Sequence, residues 1–123
     1  MEKDFQSYRD LRVWQEAMAL AEACYGLTRD FPRDELFGLT AQIRRVGVSI
    51  AANVAEGWGR ENTGSYIQFL RVAQGSCKEL ETHLILAQRV LNVADDDVRP
   101  LLERCDSIGK MLRGLVRALK PEE

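Results

Sequence analysis

The chain holds one histidine, three prolines and three cysteines among 123 residues, and each scarcity removes a class of answer. With His83 alone, a metal site or a nucleophile–base pair lacks its usual imidazole supply. Cys24, Cys77 and Cys105 are far apart, odd in number and without Cys-x-x-Cys spacing. That pattern predicts three buried thiols in a reducing compartment, neither a disulfide framework nor a metal cluster. Pro32, Pro100 and Pro121 fall where breaks between helices are otherwise expected.

Long apolar runs are also missing. The longest stretch without Asp, Glu, Lys or Arg is Val46–Ala55, too short to span a bilayer. The opening "MEKDFQSYRDLRVW" places two acids and a lysine ahead of any apolar stretch, unlike a signal peptide. The expectation is a soluble cytoplasmic protein without a membrane partner. The net charge of −2 lacks the strong positive excess of many nucleic-acid binders, although a local basic face is compatible with it.

What is present is helical periodicity. The 46% apolar and 29% charged composition fits one globular domain over residues 1–123, long enough for a core of its own. No alternating strand pattern and no internal repeat stand out. The first helix is predicted over about 7–29, opened by a Ser7–Asp10 capping box. It carries two apolar stripes: Leu11, Trp14, Met18, Ala21 and Tyr25, and Val13, Ala17, Leu20, Cys24 and Leu27. The second is predicted over 34–56, with Asp34 as N-cap and Gly57 as a left-handed stop. The third, over 63–92, has a heptad-type seam of Tyr66, Leu70, Ala73, Cys77, Leu80, Leu84, Ala87 and Leu91. The fourth, over 97–120, repeats that logic from Val98 to Leu119, with Pro100 in its first turn and Pro121 as its stop. Four amphipathic helices with short connections predict an all-α, up-down-up-down antiparallel four-helix bundle.

The second helix is unusual. Leu36, Leu39, Ile43, Val46, Ile50 and Val54 make a core side. Gln42, Arg45, Ser49, Asn53 and Glu56 form an adjoining polar strip. The remaining face has Val48, Ala51, Ala52 and Ala55, with Arg44 its only charge. A surface helix normally shows a broad charged face. The small residues here, and the second apolar stripe of the first helix, predict a homo-oligomer that covers them. A monomer with this helix central in the bundle is the competing explanation. In either case the polar strip is read as a structural strip that sets register. No acid–base pair of recognisable spacing accompanies Ser49, so catalytic, cofactor-binding and metal residues are all expected to be absent.

Gly57-Trp58-Gly59 closes a helix and lacks the three-glycine pattern of a dinucleotide loop, so it reads as a turn, with Trp58 over the bundle end. The helix start at Thr63-Gly64-Ser65, with Arg60 nearby, is a weak candidate anion site. On the fourth helix, Lys110, Arg113, Arg117 and Lys120 recur at spacings of three and four. They are either a solvated face near a helix C-terminus or contacts for a nucleic-acid backbone.

"LRVWQEAMALAEACY", "FPRDELFGLTAQIRRVGVSIAANVAEGWGR" and "YIQFLRVAQGSCKELETHL" together resemble the bacterial four-helix bundle family named for 23S ribosomal RNA intervening sequences. The matching positions are Trp14 and Gln15; Phe31, Pro32, Glu35 and Leu39; Gln42 to Arg45; Ser49, Ile50, Asn53, Ala55, Glu56 and Gly57; and Gly75, Ser76, Glu79 and Leu80. They span about residues 11–92. Departures are Val46-Gly47, where the family usually has small alanine-like residues, and Ala52, where proline is common. The resemblance implies small cytosolic proteins, mostly without a known activity, whose relatives form pentameric rings. It also implies kinship with an accessory protein of diversity-generating retroelements that binds nucleic acid and a reverse transcriptase. The expected partners are therefore further copies of this chain, and either nucleic acid or an unidentified protein.

Overall fold

The computed structural model describes residues 6–120, and among these every regular element is helical. Helix α1 spans Arg12–Thr28, α2 Leu39–Trp58, α3 Thr63–Leu91 and α4 Asp95–Leu119. Helix α1 packs against α2 and α4, and α3 packs against the same two. The four thus surround a single apolar core in which Leu20, Ile43, Ile50, Leu70, Leu84 and Leu112 are fully buried. Each such side chain contributes roughly 1.5–3 kcal/mol relative to exposure.

The helix starts differ from the periodicity reading, for local reasons. The Ser7–Asp10 capping box forms, but it opens a short 3-10 turn, Tyr8–Asp10. Leu11 then turns into the core with extended backbone, and α1 begins only at Arg12. Asp34 is not an N-cap. Arg33–Glu35 is a separate 3-10 turn, and α2 starts after Gly38. Glu35 reaches forward instead: its Oε1 accepts the Leu39 N–H at 2.9 Å, satisfying one donor left free at a helix start. Leu36, expected in the core, is exposed in the connecting turn.

Gly57 is helical, not a left-handed stop; α2 continues to Trp58, and no described glycine has positive φ. A Cβ at Gly57 would lie 2.9 Å from Phe69 Cβ and from Tyr66 Cδ1. The glycine is there for the approach of α3. Gly47 does the same toward α1, where a Cβ would meet Cys24 Sγ at 3.2 Å.

Helix α3 is capped by Asn62, whose Oδ1 accepts from Ser65 N at 2.7 Å. It ends at Asn92 with φ 58°, a left-handed conformation that asparagine tolerates. Helix α4 begins two residues earlier than expected, with Asp95, Asp96 and Asp97 in its first turn complementing the helix dipole. Pro100 accordingly sits inside the helix, in its second turn, and costs the bond its missing N–H would have made to the Asp96 carbonyl. The expected stop at Pro121 lies outside the described residues.

Candidate functional site

The polar strip of α2 is built of short-range pairs. Ser49 Oγ donates to the Val46 carbonyl at 2.7 Å and is hydrogen-bonded to Ser76 Oγ on α3 at 2.9 Å. Asn53 Nδ2 donates to the Ser49 carbonyl at 2.8 Å. Arg45 pairs with Gln42 one turn back, and Glu56 with Arg60 one turn on, at 3.2 Å. Ser49, Asn53 and Gln42 are half-buried; Arg45 and Glu56 are exposed. The strip therefore meets α3 at its centre and solvent at both ends. The Ser49 hydroxyl faces a carbonyl and a second hydroxyl, neither of which is a general base.

Ser76 was not among the strip residues read from α2, because periodicity within one helix carries no information about the facing helix. It is the one hydrogen-bonding serine buried in the α3 seam face. His83 lies two turns beyond it, with its side chain 20% exposed. Its Nε2 is buried without a hydrogen-bond partner and stands 3.6 Å from Glu79 Oε2. No group of three or more potential metal ligands occurs among the described residues.

The outer face of α1 and α2 is the second feature. Val48 is 45% exposed, and Ala52 is also exposed; Ala55 is half-buried. Ala51 departs from the expectation for this face: at 3% exposure it belongs to the core of the bundle itself, because α2 is rotated to pack against both neighbours. Met18 and Tyr25, from the first apolar stripe of α1, stay exposed beside Val48. Together with Ala21, Glu22 and Arg29 they line an open cleft of about 380 Å³. Arg44 is not a free charge on this face. Its guanidinium stacks 4.6 Å from the Tyr25 ring centroid while Nε donates to Thr28 Oγ1 at 2.8 Å. Thr28 in turn donates to the Cys24 carbonyl.

Further surfaces lie on α3, in the turn before α2, and between α3 and α4. Ile85, Leu86 and Val90 stand exposed on the outer side of α3, where Thr82, Ile85, Leu86 and Arg89 form a shallow cleft. Phe37, in the turn before α2, is 91% exposed. Between α3 and α4, Arg113, Arg117 and Lys120 share a groove with Arg71 and Gln74 of α3. Lys110 is engaged separately with Asp106 at 3.3 Å. Arg71 was missed because it lies outside the α3 seam and has no basic residue three or four positions away. Arg60, weighed as an anion ligand at the α3 start, is occupied by Glu56 and by the Phe69 face, 4.6 Å from its centroid. Trp58 packs edge-on to Tyr66 with ring centroids 6.4 Å apart and against the core.

Burial accounts for the cysteines. It pushes the Cys24 thiol up to about 12 and Cys77 to about 11, and Cys105 rises further for the same reason. All three are unpaired and inert as nucleophiles near neutrality.

The family model described as "23S rRNA-intervening sequence protein" matches residues 9–114. The chain belongs to this family. A solved structure from Bacteroides thetaiotaomicron VPI-5482, described as a protein with unknown function from the S23 ribosomal protein family, shares its fold. The TM-score is 0.75 at 22% identity, covering 85% of this chain and 97% of that one. No curated protein matches. Among the described residues no helix is long and apolar enough to cross a membrane. The polar α2 stretch and the Gly75-Ser76 step of α3, both within the matched residues, meet at the Ser49–Ser76 pair, which joins the two helices.

Proposed function

We propose that this intervening-sequence family member is a non-enzymatic, cytoplasmic, homo-oligomeric scaffold whose subunit is an up-down-up-down bundle and whose assembly is a pentameric ring. The observation that carries the reading is the open cleft between α1 and α2. Met18, Tyr25 and Val48 leave apolar surface to solvent along its length, on helices that already complete a core with their other faces. Contiguous exposed apolar surface on a small domain is characteristic of a covered interface. Native mass spectrometry at micromolar concentration tests it. The expected species is a multiple of the 14.0 kDa chain; a monomer alone overturns the reading.

A second reading rests on a separate observation. Arg71, Arg113, Arg117 and Lys120 line one groove, and none of them has an ion-pair partner among the described residues. Four unneutralised cations along a groove suit a phosphate backbone, and a ring would repeat the groove around its circumference. On this reading the chain is an accessory nucleic-acid-binding protein, akin to the variability determinant of retroelements. Binding to RNA or DNA should then be salt-sensitive, and its absence at low salt would dispose of the idea.

A further inference from the structure

The basic groove between α3 and α4 does not end at its cations. Toward the middle of the two helices it runs into a second hollow of about 250 Å³, and Gln74 and Arg113 line both. The two halves differ in chemistry. The first presents Arg71, Arg117 and Lys120. The second is walled by Gly75 and Gly109 and floored by the thiols of Cys77 and Cys105, each 1% exposed. Lys78 and Asp106 on its rim are already engaged, with Glu81 at 3.4 Å and Lys110 at 3.3 Å. The glycines keep this hollow open. A Cβ at Gly75 would meet nothing within 4 Å, and one at Gly109 would meet only Arg113 Nη1, at 3.9 Å.

We infer that the hollow takes one unpaired nucleobase of a single strand whose phosphates lie on the adjoining cations. The inference rests on the nucleic-acid reading above and narrows it, from a groove that meets charge to one that also needs an unstacked base. A base is tied to its phosphate through one sugar, so a base site must lie directly beside a phosphate site. Arg113 stands at that junction, since it lines both halves. Beyond it, Arg117 and Lys120 follow along α4 at steps of about 4.5–6 Å, so successive phosphates are met in turn. The cysteine and glycine lining suits the face of a ring, because a buried thiol behaves as a small apolar group. The Gln74 amide both donates and accepts, as the polar edge of a base requires. The hollow is smaller than the roughly 300–1,000 Å³ that buries a drug-sized ligand, in keeping with one ring system. A duplex could lay its phosphates on the cations but would leave the hollow empty, because its bases are held in the stack.

Fluorescence anisotropy at low salt tests the base site with two probes of equal charge. One is a mixed-sequence single strand, as RNA and as DNA; the other is an abasic strand of the same length in each chemistry. The abasic strand keeps every phosphate and lacks every base, so it should bind wild type about tenfold more weakly. Gly75→Leu fills the hollow from an exposed helical position and should keep wild-type helicity by circular dichroism. It should lower the affinity for the base-bearing strand to the abasic level and leave abasic binding unchanged. Gly109→Ala places one methyl group in the same hollow without a clash and should fall between the two. Arg117→Glu should weaken both probes alike. If wild type binds both probes equally, or Gly75→Leu and Gly109→Ala leave the preference for the base-bearing strand intact, the base site is wrong while the nucleic-acid reading stands. If wild type binds neither probe in either chemistry, both fall.

Discussion

Ser49 of α2 and Ser76 of α3 hold their hydroxyl oxygens 2.9 Å apart across the seam between the two helices. The contact sits midway along a polar strip whose other pairs are all within one helical turn along the chain. The pair favours one rotation and register of the two helices, because a slip leaves the buried Ser76 hydroxyl without this partner, while Ser49 keeps its bond to the Val46 carbonyl.

Ser76→Ala is therefore expected to lower stability by about 1 kcal/mol. Ser76→Val, which adds bulk and removes the bond, should cost more, about 2 kcal/mol. Urea unfolding followed by circular dichroism measures both. A neutral Ser76→Ala would mean that the pair contributes nothing to the seam.

Gly57 gives a sharper steric prediction. A Cβ there meets Phe69 and Tyr66 at 2.9 Å, closer than carbon atoms pack. Gly57→Ala should destabilise by about 1–3 kcal/mol, despite alanine's better helix propensity. Gly75→Ala, where an added Cβ meets nothing within 4 Å, should stabilise by about 0.5–1 kcal/mol. Thermal melts of the two variants should shift in opposite directions.

Arg44 ties α1 to α2 through Tyr25 and Thr28. Arg44→Gln should lose the stacking and weaken the Thr28 contact, at a cost of about 1 kcal/mol. Arg45→Gln, whose partner is a neighbouring glutamine on the same exposed strip, should be close to neutral. Equal effects of the two changes would contradict the arrangement.

The thiols predict an alkaline limit. Their folded pKa values are raised by burial from an ordinary 9.0 to about 12 for Cys24 and about 11 for Cys77. A raised folded value means that the stabilising contribution is fully present below pH 9. It is lost as pH rises toward 11 and 12, because the unfolded chain releases the protons first. The urea midpoint should fall over that window, and Cys77→Ala should flatten the fall while lowering the neutral-pH midpoint. Labelling by a thiol reagent at pH 8 should follow unfolding for all three cysteines.

On the second functional reading, Arg71→Glu should weaken nucleic-acid binding as much as Arg113→Glu, although the two residues belong to different helices. Both should reduce the salt dependence by about one unit of slope each. Lys110→Glu, already paired with Asp106, should matter less. Fluorescence anisotropy at several salt concentrations reads all three.

The four helices, their core stripes and the family were legible in the sequence, because burial repeats every three to four residues wherever a helix faces a core. The seam of α3 from Leu70 to Ala87 is buried as its spacing requires. Helix ends were less legible. Glu35 caps α2 from outside the helix, and Gly57 looked like a stop because glycine's two uses, left-handed backbone and close approach, leave the same letter. The meeting of Ser49 with Ser76, the diversion of Arg44 onto Tyr25, the burial of Ala51 and the recruitment of Arg71 beside Arg113 were decided by tertiary structure alone. Each depends on which face of one helix lies opposite which face of another. A sequence specifies a helix's own faces locally, through its period, but the pairing of faces follows only from packing all four around one core.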